Sequence, residues 1–288
     1  MNDKQEHALE AIHHYAKHHG TNLWSHIHPS HLVKSLEERV RHPNTINQRG
    51  SSWCGPAAVC VAMATEAPTT YAHMIIQLVQ HGRATVHHGR LTGHTLKASP
   101  ELRAYPFAKS KIVDADWIPM STLRESLKSN KKHDTAWFFK HGTFPADVME
   151  FYRDLGYSHL ADHTSEWNML AAGTFDYGLS VIQSANHLIR TNHRITMRIN
   201  ADMLDGGKQG ANAKLPPQSV RHNHWVDLIS PIHVGGTPHH GHNPRHGPNT
   251  PVNLTVFSWG NEMPVPQIPP MTLREFAANF FGFISAKY

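Results

Sequence analysis

The chain has two cysteines in 288 residues, Cys54 and Cys60. They stand six apart in what reads as one helix, which puts them on different faces and more than about 7 Å apart, so no disulfide is expected. A chain of this size without a disulfide fits folding in a reducing compartment, and each thiol is then either reactive or simply buried. Long apolar runs are missing too. The best candidates, Val59 to Ala64 and Ile75 to Val79, fall far short of the roughly 18 residues a membrane span needs, so no membrane insertion is expected. Nor does Met-Asn-Asp-Lys-Gln-Glu-His, at the start, have an apolar core behind a basic head, so no secretory signal peptide is expected. Lysines and arginines are scattered, with Lys131-Lys132 and short arginine groups as the densest points. Nucleic acid is therefore not an expected partner. No internal repeat is present, and no Cys pair or His-Glu-x-x-His pattern supports a catalytic zinc, so neither metal nor cofactor is expected.

What the chain does have is histidine, 27 in all. The formal charge of +5 counts every one as neutral, so mild acid would make the surface strongly cationic. A pI near 9.2 fits encounter with anionic partners, cell-wall polymer among them. His14 and His18 are spaced for one metal ion, and His26, His28 and His31 form a group, as do His239, His240, His242 and His246. The plainer reading of all of them is a solvated, histidine-biased surface. An apolar fraction of 39% and a charged fraction of 17% describe an ordinary globular chain, with Trp117, Trp137, Phe138, Phe139 and Trp167 read as core.

Hydrophobic periodicity predicts helices first. They are Glu6 to His19, Pro29 to Val40, Cys54 to Ala64, Thr70 to Gln80, Ser121 to Ser129, Pro145 to Leu155 and one or two within Thr164 to Arg190. Strands follow: Arg194 to Asn200, Trp225 to Ile232 and Val252 to Trp259, then a short helix Leu273 to Asn279 and a closing strand Phe280 to Ala286. Helices segregated from an antiparallel sheet make an α+β fold. The expected organisation is a helical extension over 1–40 and one domain over 41–288, helical to 190 and sheet from 191.

The sharpest local signal is Asn47-Gln48-Arg49-Gly50-Ser51-Ser52-Trp53-Cys54-Gly55-Pro56-Ala57-Ala58. A cysteine at a helix N-terminus meets the positive end of the helix dipole, which stabilises the nucleophilic thiolate. Gln48, six residues earlier, can set its side-chain amide beside the Cys54 backbone N–H as a two-donor oxyanion hole. A base is needed as well. His224 opens the apolar run His-Trp-Val-Asp-Leu-Ile and is preferred to His222, while Asp227 should face the other side of the strand.

Gln48 six before Cys54, then a distant His224 at a strand start, then Ser258-Trp259-Gly260 closing a later strand: this order resembles the papain-like cysteine peptidases. The match covers three short motifs and leaves most of the chain unmatched. The resemblance implies a papain-like fold with the nucleophile helix packed on an antiparallel sheet. It also implies His224 as general base and then acid, an oxyanion hole containing Gln48, and Trp259 shielding the histidine from water. One slot departs from the family pattern, because Phe257 stands where an asparagine would orient the imidazole. Ser258 or Asn261 is then the expected orienting residue, with a backbone carbonyl or a Cys–His dyad as alternatives.

The C-terminal stretch, Phe-Ser-Trp-Gly followed by a Pro-rich turn, a short helix and Asn-Phe-Phe-Gly-Phe-Ile, also resembles papain-like toxin domains of bacterial secretion systems, type VI effectors in particular. That implies manufacture in a bacterial cytoplasm, injection into a target cell and a cognate immunity protein. The substrate would be protein, or the peptide stem of peptidoglycan, with deamidation or acyl transfer by the same thiolate as further options. The rivals from other classes are a non-catalytic binding module on the same scaffold and a histidine-rich metal-binding protein.

Overall fold

A computed structural model describes residues 2–18, 20–88, 91–105, 111–127, 142–164, 175–204, 223–239, 241, 246–265 and 271–288. His222, His240, His242, Lys131, Lys132, Trp137, Phe138, Phe139, Trp167, the first part of the Thr164-to-Arg190 helix and most of the Pro-rich turn lie outside the described residues. The fold is mixed α+β, and the chain divides into two compact units, 1–158 with Tyr288 and 159–287. The division falls at Ser158 rather than at 190, because helix Phe175–Arg190 packs on the sheet.

The first unit is helical. Helix α1 (Asp3–His18) buries Ala8, Leu9, Ile12 and Tyr15, and α2 (Pro29–Arg41) buries Leu32, Leu36, Arg39 and Val40. Together with α3 (Cys54–Glu66) and α4 (Pro68–His81) they form one packed body, α1 lying against α2 and α4. Residues 1–40 are therefore inside this unit, not an appendage to it. Helix α3 is buried all round from Cys54 to Ala64, as a helix without a polar face must be. A hairpin of β1 (Arg83–His88) and β2 (Leu91–Lys97), α5 (Pro100–Ala104), α6 (Asp114–Ser126) and α7 (Pro145–Asp154) complete it.

Helix α6 starts at Asp114, well before the expected Ser121. Pro119 disguises it, since proline inside a helix removes the N–H that would bond four residues back. The orphaned acceptor is Ala115 O, and the buried Tyr71 hydroxyl donates to it at 3.2 Å. A residue from α4 thus supplies the hydrogen bond that the proline removes.

The second unit is a sheet with helices on it. Its strands run in the order β3 (Ser158–Asp162), β11 (Phe280–Lys287), β4 (Arg194–Asn200), β5 (Asn223–Leu228), β8 (Pro251–Ser258), β6 (His233–Val234) and β7 (Thr237–Pro238). Strands β9 (Asn261–Val265) and β10 (Met271–Thr272) also pair with β8, and every ladder between strands β4 to β11 is antiparallel. Helices α8 (Phe175–Arg190) and α9 (Leu273–Asn279) pack together, their backbones close enough that a Cβ on Gly178 would stand 2.7 Å from Ala277 Cβ. The core joins Ile182 and Ala185 of α8 to Ile195, Met197 and Ile199 of β4, Val226 and Leu228 of β5, and Val252, Leu254 and Val256 of β8. Among the described residues no helix is long and apolar enough to cross a membrane.

Candidate active site

Cys54 is the first residue of α3, and Trp53 before it has left helical geometry at φ −98° and ψ 33°. The Ala57 N–H closes the first turn on Trp53 O at 3.0 Å. First-turn amides carry the positive end of the helix dipole, so this turn favours negative charge at its mouth. Gly55 is needed here for space. A Cβ at that position would sit 2.5–2.9 Å from the side-chain atoms of Thr143, so only glycine lets the buried Thr143 close over the turn. The indole of Trp53 packs on Trp117 of α6, ring centres 5.1 Å apart.

Gln48 is buried on the loop leading into α3. Its Nε2 donates to Ser51 O at 2.9 Å, while the Ser51 hydroxyl donates back to Gln48 O at 2.8 Å. An amide nitrogen carries two hydrogens, so this bond fixes the group and leaves the second N–H for another acceptor. The loop is held from outside by a buried ion pair. Arg39 donates through Nε and Nη2 to the two oxygens of Asp116 at 2.7 and 2.8 Å, and Asp116 also accepts the Asn47 N–H at 3.0 Å. Burial pushes the Asp116 carboxyl up, against the pull of Arg39 and of the Asn47 N–H.

Sequence reasoning missed Arg124. It lies seven residues beyond Trp117, two turns along the same face of α6, and is 1% exposed. Burial lowers its guanidinium, while the fields of Asp147 and Cys54 hold it up. A cation therefore lies within electrostatic reach of the thiol, and nothing in the local sequence marks it. Cys60, six along α3, is fully buried, and that burial pushes its thiol well up into an inert range.

His224 opens β5 and is 5% exposed. Its Nε2 lies 2.7 Å from Ser258 Oγ, and its ring stacks on the Trp259 indole with centres 4.8 Å apart and planes 24° from parallel. Sheet register explains why Ser258, and not Asn261, meets the imidazole. Asp227 stands opposite Phe257 and Leu228 opposite Val256, so side chains alternate and Ser258 shares a face with His224, Val226 and Val256. Phe257 faces the other side with Asp227, whose carboxylate accepts from Thr196 Oγ1 at 2.7 Å. Asn261 is exposed and donates only weakly to Trp259 O, at 3.4 Å.

Trp259 and Gly260 are the two central residues between the paired Ser258 and Asn261, at φ 49° and 80°. That is the type I′ hairpin signature, for which glycine is at ease and tryptophan is not. A bulky residue there costs about 1–2 kcal/mol, so this turn holds the indole against the imidazole at some expense in backbone strain. Burial among apolar side chains lowers the His224 imidazole to about 4. It is therefore neutral near pH 7, with Nε2 engaged by Ser258.

Cys54 and Gln48 thus belong to the first unit, and His224, Ser258, Trp259 and Asn261 to the second. The histidine groups differ in burial: His14, His18, His28 and His31 are exposed, with ring centres 4.5 Å apart in the first pair and 5.3 Å in the second, whereas His239 is buried with its ring centre 5.2 Å from that of His246. Among the described residues no group of three or more His, Cys, Asp or Glu could hold a metal ion. No family model, no curated protein and no solved structure matches the chain.

Proposed function

We propose that the chain is a cysteine hydrolase of papain-like build that opens amide bonds through a Cys54 acyl-enzyme. The observation that carries this reading is the setting of His224: one ring nitrogen on Ser258 at 2.7 Å, one ring face on Trp259, and a pKa depressed to about 4. A buried imidazole serving only to fill the core would not need a strained tryptophan turn beside it.

In this reading His224 Nδ1 takes the thiol proton as Cys54 Sγ attacks the carbonyl carbon. The carbonyl electrons move onto oxygen, where the Cys54 N–H and the second Gln48 N–H receive the charge. Collapse breaks the C–N bond, and the imidazolium returns its proton to the leaving amine. Water, deprotonated by the same imidazole, then adds to the thioester carbonyl; the C–S bond breaks, the acid departs, and the imidazolium proton returns to Cys54 Sγ. A neutral resting imidazole makes His224 a general base during attack, instead of half of a preformed imidazolium–thiolate pair. The helix dipole and the buried Arg124 cation favour the thiolate from its own side.

Two substrate classes suit this chemistry, protein and the peptide stem of peptidoglycan, and a charge of +5 favours anionic cell wall. Delivery as a type VI-like antibacterial effector, neutralised by a cognate immunity protein, is the cellular role proposed with it. Wild type and Cys54→Ala are to be compared on labelled casein and on purified sacculi. Cys54-dependent release of peptides from one and not the other assigns the class. No Cys54-dependent change in either would leave the non-catalytic binding module as the better reading.

A further inference from the structure

We propose that the Arg39–Asp116 ion pair is the positioning element of the oxyanion hole, setting where the Gln48 amide stands relative to the Cys54 N–H; this rests on the hydrolase reading above. The pair joins the end of α2 to the first turn of α6, and from that turn two adjacent residues reach the two donors. Asp116 accepts the N–H of Asn47, the neighbour of Gln48. Trp117 packs on Trp53, the neighbour of Cys54. One helical turn therefore measures the gap between both donors.

The fork also grips the loop at a second point, for Arg39 Nη1 donates to Thr45 Oγ1 at 3.1 Å and Thr45 Oγ1 donates to His42 O at 2.7 Å. Beyond Asn47 the loop is fixed link by link. Asn47 Oδ1 accepts the Arg49 N–H at 2.7 Å, which supports the left-handed φ of 55° at Arg49, and Ser51 and Gln48 exchange two bonds. A bidentate guanidinium–carboxylate fork fixes angle as well as distance, which a lysine cannot do. Buried ion pairs add little net stability over apolar residues of the same size, so a role in geometry accounts for this one.

The test uses the full chain with Arg39→Lys, which keeps the charge and loses the fork, and with Asp116→Asn. Two rates are compared: Cys54-dependent release of p-nitrophenolate from p-nitrophenyl acetate, which passes through an oxyanion, and alkylation of Cys54 by iodoacetamide, which does not. The expected result is a fall of about 10- to 100-fold in kcat for the ester, since losing one oxyanion donor outright costs about 10²- to 10³-fold. Alkylation should stay within about twofold. The double variant Arg39→Lys/Gln48→Ala should be no slower than Gln48→Ala alone, because residues acting through one another are not additive. Equal falls in both rates, an unchanged kcat, or additive losses would overturn the proposal. If Arg39→Lys does not fold, Thr45→Val removes one arm of the grip alone and should show the same split between the rates on a smaller scale. Absence of Cys54-dependent ester release in the wild type would instead sink the hydrolase reading, a different failure from wild-type release that ignores Arg39.

Discussion

The two units place their reactive groups in opposite surroundings. In the first, Cys54 opens a helix whose neighbours include the buried cation Arg124, and its loop is tied down by the Arg39–Asp116 pair. In the second, His224 stands on the apolar face of a sheet, opposite Ile199 and in line with Val226, with one hydroxyl as its polar partner. Charge lowers the cost of a thiolate, and hydrocarbon lowers the cost of a neutral imidazole. The contrast suits the roles proposed above, negative charge on the helical unit and a neutral proton acceptor on the sheet unit.

The largest way to break this contrast is to remove a reacting atom. Cys54→Ala should lower kcat/KM by at least about 10³-fold, and thermal unfolding should show a fold that is still intact. Next comes the charged side. Arg39→Met leaves Asp116 buried and uncompensated and should cost about 3–5 kcal/mol, with hydrogen exchange rising across residues of the first unit. The apolar side answers to acid instead. The folded pKa of His224 lies below its unfolded value of 6.5, so between pH 6.5 and about 4 the unfolded chain binds the extra proton. Stability contributed at neutral pH is then lost at about 1.4 kcal/mol per pH unit as pH falls, and His224→Gln should flatten that limb of a denaturant series.

Smaller effects sharpen the picture within the sheet. Ser258→Ala leaves the buried Nε2 without its hydroxyl and should cost about 1–3 kcal/mol and roughly tenfold in kcat, with KM little changed. Asn261→Ala should leave kcat within about twofold, its one weak bond being to Trp259 O at an exposed turn. Kinetics of these two variants side by side decide which residue orients the imidazole.

Much of this was legible in the sequence where the signal is local. Helix α3 is announced by Trp53-Cys54-Gly55-Pro56 and a run of small residues, and β5 and β8 by alternation around His224 and Ser258. The choice between Ser258 and Asn261 needed the register of β5 on β8, which no single strand contains. Long-range pairing hid the rest. Arg39 and Asp116 are 77 residues apart, and nothing near either names the other. Pro119 made the start of α6 read as a break, because Tyr71, the residue that repairs it, comes from another helix. The hairpin β1–β2 went unread since Arg83 to Lys97 is rich in His, Thr and Gly and shows no clean apolar alternation.

The proposed function requires the Cys54 thiol and the His224 imidazole to react together. It is tested most directly by the rate of Cys54 alkylation by iodoacetamide at neutral pH, in wild type and in His224→Ala. Cys60 is fully buried with its thiol pushed well up, so the label reports Cys54 alone. The account predicts a fall of at least about tenfold in His224→Ala, with folding unchanged. Equal rates in the two proteins would contradict it, and would leave Cys54 a buried helix residue and His224 a core histidine.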